Sequence, residues 1–227
     1  MNQPRIIGHR GAAGHLPENT IVSFRKAFEL GVHGIELDVH LSADGCVVVF
    51  HDETLDRMTN GLGAISNYTS ADLKKLTIDK THEIPTLAEV FSECPNEILI
   101  NIEIKDSKAT EAVVRLISQE IKSGRSDSNI LVSSFDWNIL KLVRAMNADI
   151  QLGVLTEKNI DAAIDFAQSI QALSIHPNHR YLTDETVLKI RENGYQIHTW
   201  TVNESADIER MKSLNVDAII TDFPDRI

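Results

Sequence analysis

The chain has 227 residues, of which 22 are Lys or Arg and 33 are Asp or Glu, giving a formal net charge of -11. So acidic a molecule repels a phosphate backbone, which argues against a nucleic-acid partner, and two cysteines, Cys46 and Cys94, are too few for a disulfide framework or a Cys-based zinc site. No apolar run approaches the roughly 18 residues of a membrane span, and the opening MNQPRIIGHRG has no apolar segment with a small-residue cleavage site, so the expectation is a cytoplasmic protein without stable membrane association.

In chain order, Arg5 to His9 reads as a short strand, and Pro17-Glu18-Asn19-Thr20 opens a helix to about Leu30 with Asn19 as its N-cap. The stretch Gly34 to Asp52 follows. In Ile35-Glu36-Leu37-Asp38-Val39 the alternation turns the three apolar residues one way and the two acids the other. Two carboxylates sharing a face at roughly 4 Å repel by a few kcal/mol at an effective dielectric near 20, so a cation belongs between them. Ala43-Asp44-Gly45 then makes a tight turn into the apolar run Cys46 to Phe50, which delivers His51 nearby. Residues 53–85 are polar and turn-rich, with a short helical piece around Ala71 to Leu76, and read as an insertion over one end of the fold.

Beyond it the alternation is regular. Pro85-Thr86 opens a helix to about Glu93, and helices also run from Thr110 to Ser123, from the cap Asp136 to Met146, from Ile160 to Ala167, from Asp184 to Asn193 and from Ser205 to Leu214. Strands fall at Ile98 to Ile104, Ile130 to Ser133, Ile150 to Leu155, Ala172 to Ile175, Gln196 to Thr201 and Ala218 to Thr221. Eight strands alternating with helices predict parallel pairing and a (β/α)₈ TIM barrel of the α/β class, one domain over residues 1–227. The chain stops six residues after Thr221, so the eighth helix is missing or vestigial, and an open doubly wound sheet is the alternative.

Barrel enzymes place reacting groups at the C-terminal ends of their strands, and here those ends are polar. His9 and Arg10 end the first, Glu36 and Asp38 the second, Glu103 and Lys105 the third, while Trp200 and Asn203 lie at or beyond the seventh. An isolated Glu-x-Asp is more often a solvated face than a site; Glu103-x-Lys105 on the next strand reverses those odds. Glu36, Asp38 and Glu103 make a hard oxygen site for one divalent metal, Mg²⁺ or Ca²⁺. Arg10 and Lys105 fit an anionic, phosphate-like substrate, and His9 and His51 an acid/base pair. Trp200 and Phe135 read as pocket walls, and His176, at the end of the sixth strand, as a possible substrate contact; the remaining histidines read as ordinary ones.

Together these segments resemble a bacterial glycerophosphodiester phosphodiesterase. The resemblance is carried by His9-Arg10-Gly11, Pro17-Glu18-Asn19-Thr20, Gly34-Ile35-Glu36-Leu37-Asp38-Val39, His51-Asp52, Leu55-Asp56-Arg57, Thr59-Asn60-Gly61, Pro85-Thr86-Leu87, Asn101-Ile102-Glu103-Ile104-Lys105, Ser133-Ser134-Phe135, Trp200-Thr201-Val202-Asn203 and Thr221-Asp222-Phe223-Pro224, in family order from end to end. It implies the barrel with an insertion after the second strand, the metal on Glu36, Asp38 and Glu103, phosphate on Arg10 and Lys105, and His9 and His51 as general acid and base. The implied reaction hydrolyses a small glycerophosphodiester, such as glycerophosphocholine or glycerophosphoethanolamine, to glycerol 3-phosphate and an alcohol, in a cytoplasmic monomer or homodimer. Met58 departs from the pattern, standing where Thr is usual. Two alternatives remain: a lysophospholipase D-type hydrolase of lysolipids, for which Leu62, Ile65 and Tyr68 are the only hint, and a non-catalytic barrel that binds metal and phosphate.

Overall fold

A computed structural model describes residues 3–227; Met1 and Asn2, part of the stretch read for a leader, lie outside the described residues. Among the described residues there are nine strands: β1 (Arg5–Gly8), β2 (Gly34–Leu41), β3 (Val47–Val49), β4 (Leu99–Ile104), β5 (Ile130–Ser134), β6 (Gln151–Thr156), β7 (Ser174–Pro177), β8 (Gln196–Thr199) and β9 (Ala218–Thr221). All but β3 pair in parallel in the order β1-β9-β8-β7-β6-β5-β4-β2, and β1 also pairs with β2, so the sheet closes on itself. That closure excludes the doubly wound alternative. The eight-strand expectation missed only the antiparallel β3, which the Gly45 turn, at φ 79°, folds back onto the end of β2.

The helices are α1 (Ile21–Glu29), α2 (Ser70–Leu73), α3 (Leu87–Glu93), α4 (Thr110–Lys122), α5 (Trp137–Met146), α6 (Ile160–Ser169), α7 (Asp184–Glu192) and α8 (Ser205–Ser213). Apart from α2 they form the outer ring. The main core is the seam between ring and barrel, where outward-facing Ile35, Leu37, Val39, Ile100, Ile102 and Ile104 meet helix residues such as Phe24, Val113 and Leu140. Among the described residues β9 is followed by a 3-10 turn, Pro224–Arg226, and Phe223 packs edge-on to His15 with ring centroids 5.6 Å apart.

Local chemistry sets the helix starts. Thr86 caps α3 by accepting from Glu89 N, and Glu89 returns a carboxylate to Thr86 N, a reciprocal box worth about 1 kcal/mol. Asp136 caps α5 as expected. The cap of α1 is Thr20 rather than Asn19, because Thr20 Oγ1 reaches Ser23 N while Asn19 sits in the left-handed region at φ 57° and turns its side chain to the barrel. The insertion is more than a cover: Leu55, Ile65, Leu73, Ile78 and Ile84 form their own small core against Val48 and Phe50 at β3.

Candidate active site

Register decides which carboxylates meet. β2 and β4 pair so that Glu36 lies beside Asn101 and Asp38 beside Glu103, and the period-two pleat turns all four into the barrel. One carboxylate oxygen from each of Glu36, Asp38 and Glu103 lies within 4.8 Å of the others, and all three residues are buried. Glu36 Oε1 and Asn101 Oδ1 are buried oxygens with no hydrogen-bond partner. Such orphaned acceptors beside two further carboxylates fit a hard divalent cation, which takes oxygen ligands.

The electrostatics agree. Burial, and after it the charges of Asp38 and Glu103, push Glu36 well above the usual carboxylate range, and burial followed by Asp38 brings Glu103 up to about 7. Burial also acts to raise Asp38, but Lys105 and then Arg10 outweigh it and hold Asp38 below its ordinary value. Lys105 Nζ lies 3.1 Å from Asp38 Oδ1 and 2.5 Å from Glu103 Oε1, bridging the two acids. Arg10 donates its backbone N–H to Glu36 Oε2 at 3.0 Å and sets Nε 3.3 Å from Asp38 Oδ2.

That position costs strain. Arg10 has φ 50°, a left-handed conformation that a non-glycine residue holds only when its surroundings impose it. The Arg10 carbonyl accepts from Asn19 N at 3.0 Å and from Ser23 Oγ at 3.1 Å, and a Cβ on Gly11 would meet Ser23 Oγ at 2.5 Å, so only glycine lets the loop lie against α1. Asn19 Nδ2 donates to Asp38 Oδ2 at 2.9 Å, fixing a carboxylate that the sequence reading did not connect to it.

The two histidines are built alike. His9 Nδ1 is 2.6 Å from Asp222 Oδ1, and His51 Nδ1 is 2.6 Å from Asp52 Oδ1. A carboxylate only accepts, so in each pair Nδ1 carries the proton and Nε2 is left for proton transfer. His9 Nε2 lies 3.9 Å from Glu36 Oε2, next to the acidic cluster. Burial draws His51 below its ordinary value, against the opposing pull of Asp38 and Asp52, and this favours a neutral ring. Asn203 Nδ2 in turn holds Asp222 Oδ2 at 2.6 Å, and His40 Nε2 donates to the His51 carbonyl at 3.0 Å.

The reacting groups border one cavity of about 180 Å³, whose walls include His9, Arg10, Glu36, His51, Glu103 and Lys105, with Asp38 beneath them outside its lining. Phe135 and Trp200 close the far side, edge to face at 5.3 Å, with Leu155 and Glu157 beside them. A larger surface cleft of about 450 Å³, between α1, α3 and the insertion, contains none of these groups. His176 does not reach the cavity: it is fully buried inside the barrel, tilted against His198 with ring centroids 4.8 Å apart and hydrogen-bonded to Ser174, with only its carbonyl engaged by Trp200 Nε1. Its place at a strand end suggested a substrate contact, but the strand continues through Pro177 and leaves the ring below the mouth.

With that geometry in place the comparisons are specific. The model of the glycerophosphoryl diester phosphodiesterase family matches residues 9–226. The chain belongs to this family. A relative named glycerophosphodiester phosphodiesterase from Caldanaerobacter subterraneus subsp. tengcongensis is 37% identical over 231 residues, spanning 98% of this chain and 95% of its own. Among solved structures, a phosphodiesterase of Oleispira antarctica in complex with the product sn-glycerol-3-phosphate superposes with a TM-score of 0.91 at 28% identity, covering 99% of this chain and 95% of that one. The glycerophosphodiester phosphodiesterase of Thermotoga maritima gives 0.83 at 33% identity, covering 99% and 97%.

In this family member the site contains groups that the sequence reading gave no role. Asp52 directly follows His51, and that adjacency was a usable signal. Asp222 stands 213 positions from His9 and meets it only because β9 pairs with β1. Glu18, expected to order the first helix and its loop, bonds Arg10 Nη1 at 2.8 Å instead.

Proposed function

We propose that this family member is a divalent-metal-dependent phosphodiesterase that hydrolyses glycerophosphodiesters, glycerophosphocholine and glycerophosphoethanolamine among them, to glycerol 3-phosphate and an alcohol. The observation that carries the reading is the meeting, at one cavity, of a cluster of three buried carboxylates, two of which line it, with two cationic side chains and two histidines that are each oriented by a carboxylate. Glu36, Asp38 and Glu103 are the residues to hold Mg²⁺ or Ca²⁺, which when bound supplies Lewis-acid polarisation of a non-bridging phosphate oxygen.

Arg10 and Lys105 hold the phosphate and offset the charge that grows on it as it becomes pentacoordinate. One histidine takes a proton from the attacking water as the new O–P bond forms, and the other gives its proton to the alcohol oxygen as the old P–O bond breaks. Their Nδ1 protons stay hydrogen-bonded to Asp52 and Asp222, so Nε2 is the exchanging atom in both rings, bare on the histidine that acts as base and protonated on the one that acts as acid. Phe135 and Trp200 pack against the glycerol or alcohol moiety. The free thiols of Cys46 and Cys94 support a cytoplasmic location. Among the described residues no helix is long and apolar enough to cross a membrane.

The test is a panel of glycerophosphodiesters and lysophospholipids assayed for product release across divalent metals. Release of glycerol 3-phosphate that requires added metal supports the reading. Faster turnover of lysolipids would replace it with the lysophospholipase D alternative, and phosphate-ester binding without turnover would replace it with a non-catalytic barrel.

A further inference from the structure

We propose that Arg57, carried by the insertion, is a positioning residue that locks His51 and Arg10 into register across the mouth of the barrel. This rests on the reading of the cavity as a phosphodiester-hydrolysing site. The geometry is a continuous chain of charge-assisted hydrogen bonds. Arg57 grips Asp52 through Nε to Oδ2 at 2.6 Å and Nη2 to Oδ1 at 2.9 Å. It grips Glu18 through Nη2 to Oε1 at 2.7 Å and Nη1 to Oε2 at 3.3 Å. A single nitrogen, Nη2, therefore binds one oxygen of each carboxylate.

Those two oxygens are the ones that hold the reacting groups. Asp52 Oδ1 is the acceptor of His51 Nδ1 at 2.6 Å, and Glu18 Oε1 is the acceptor of Arg10 Nη1 at 2.8 Å. Moving Nη2 moves both. The chain His51, Asp52, Arg57, Glu18, Arg10 thus joins a proton-transfer ring that follows β3 to a phosphate-binding side chain that follows β1, two segments with no ladder between them.

Stability alone does not account for this arrangement. The Arg57 side chain is 47% exposed, and ion pairs at that exposure contribute little to folding, whereas the insertion already has its own apolar core. What a fork between two carboxylates supplies is direction, because the planar guanidinium fixes both acceptors at once. Without it, Asp52 is free to rotate away from His51. Glu18 loses its outer counter-charge and pulls harder on Arg10, whose Nη1 it already holds at 2.8 Å, drawing that guanidinium away from the phosphate position. The first change slows proton transfer and the second weakens phosphate binding.

The experiment compares Arg57→Met, Arg57→Lys, Asp52→Asn and Glu18→Gln with the unsubstituted enzyme on glycerophosphocholine. Arg57→Met is expected to lower kcat about 30-fold and raise KM about 5-fold, orientation losses within the range of general acid-base effects. Arg57→Lys, whose ammonium can bridge the two oxygens but cannot fork, recovers about half of each loss on a logarithmic scale. Asp52→Asn reproduces the kcat loss and Glu18→Gln the KM loss, and adding Arg57→Met to either leaves that parameter nearly unchanged. Wild-type kinetics in Arg57→Met, or losses that multiply in the double variants, would overturn the inference; if Arg57→Met does not fold, the Arg57→Lys cycles decide it. Should the unsubstituted protein hydrolyse no glycerophosphodiester, the proposed function fails separately, and a crystal structure of Arg57→Lys decides the positioning: His51 and Arg10 unmoved would overturn it.

Discussion

The buried, adjoining pair His176 and His198 makes stability depend on pH in a way that can be worked out from the structure. Burial, and then the charge of Arg5, hold His198 down at about 3, and burial followed by His198 holds His176 well below its ordinary value. Below an unfolded-state value of about 6.5 the unfolded chain takes up a proton at each ring and the folded chain does not, so stability is full above that value and is lost as pH falls. For His198 alone, going from pH 7.5 to 5.0 removes about 2 kcal/mol. His198→Gln keeps a polar group for its Gln196 partner, 3.1 Å away, but cannot titrate. Urea melts of both proteins at the two pH values, with metal held saturating so that the acidic cluster contributes equally to each, measure the difference. Whatever the substitution costs at pH 7.5, the gap should narrow by about 2 kcal/mol at pH 5.0. A gap that stays constant would refute the reasoning, because it would mean that His198 protonates equally in both states.

Three further outcomes follow from the site. Glu36→Gln removes a buried carboxylate repelled by Asp38 and Glu103, so the metal-free variant should melt about 2–4 °C higher than wild type, while the rise in Tm on adding Mg²⁺ or Ca²⁺ disappears; differential scanning fluorimetry with and without EDTA reads both. Asp222→Asn leaves His9 without the carboxylate 2.6 Å away, and steady-state kinetics should show kcat down about 100-fold with KM within about twofold. Trp200→Ala breaks the edge-to-face pair with Phe135 and opens the far wall, and should raise KM about 3- to 10-fold with little change in kcat, as measured on the same substrate.

The barrel was legible because its signal is periodic. Alternation in Gly34 to Val39 and Leu99 to Ile104 turned isoleucines outward and acids inward, and the observed register, Asp38 beside Glu103, is what makes those acids neighbours. The grouping of Glu36, Asp38 and Glu103, with His9, His51, Arg10 and Lys105 close by, could therefore be expected from type and spacing. What escaped were groups placed by closure or by irregular backbone. Asp222 reaches His9 through a strand pairing that spans the whole chain, and Arg57 comes from an insertion whose turns have no period to read. Asn19 was assigned to capping because its residue type favours caps; its left-handed φ, which frees the side chain for Asp38, is imposed by the packing of the loop. His176 was misplaced for a simpler reason: β7 runs one residue pair farther than expected, so an apparent end was an interior position.

The most direct test of the account is glycerol 3-phosphate release from glycerophosphocholine by protein stripped of metal and then resupplied with Mg²⁺ or Ca²⁺, run beside His9→Ala and His51→Ala. The account predicts turnover only with metal present, and a loss of about 10²- to 10⁴-fold in kcat for each histidine variant. Turnover that persists in EDTA, or a histidine variant that keeps wild-type activity, would contradict it.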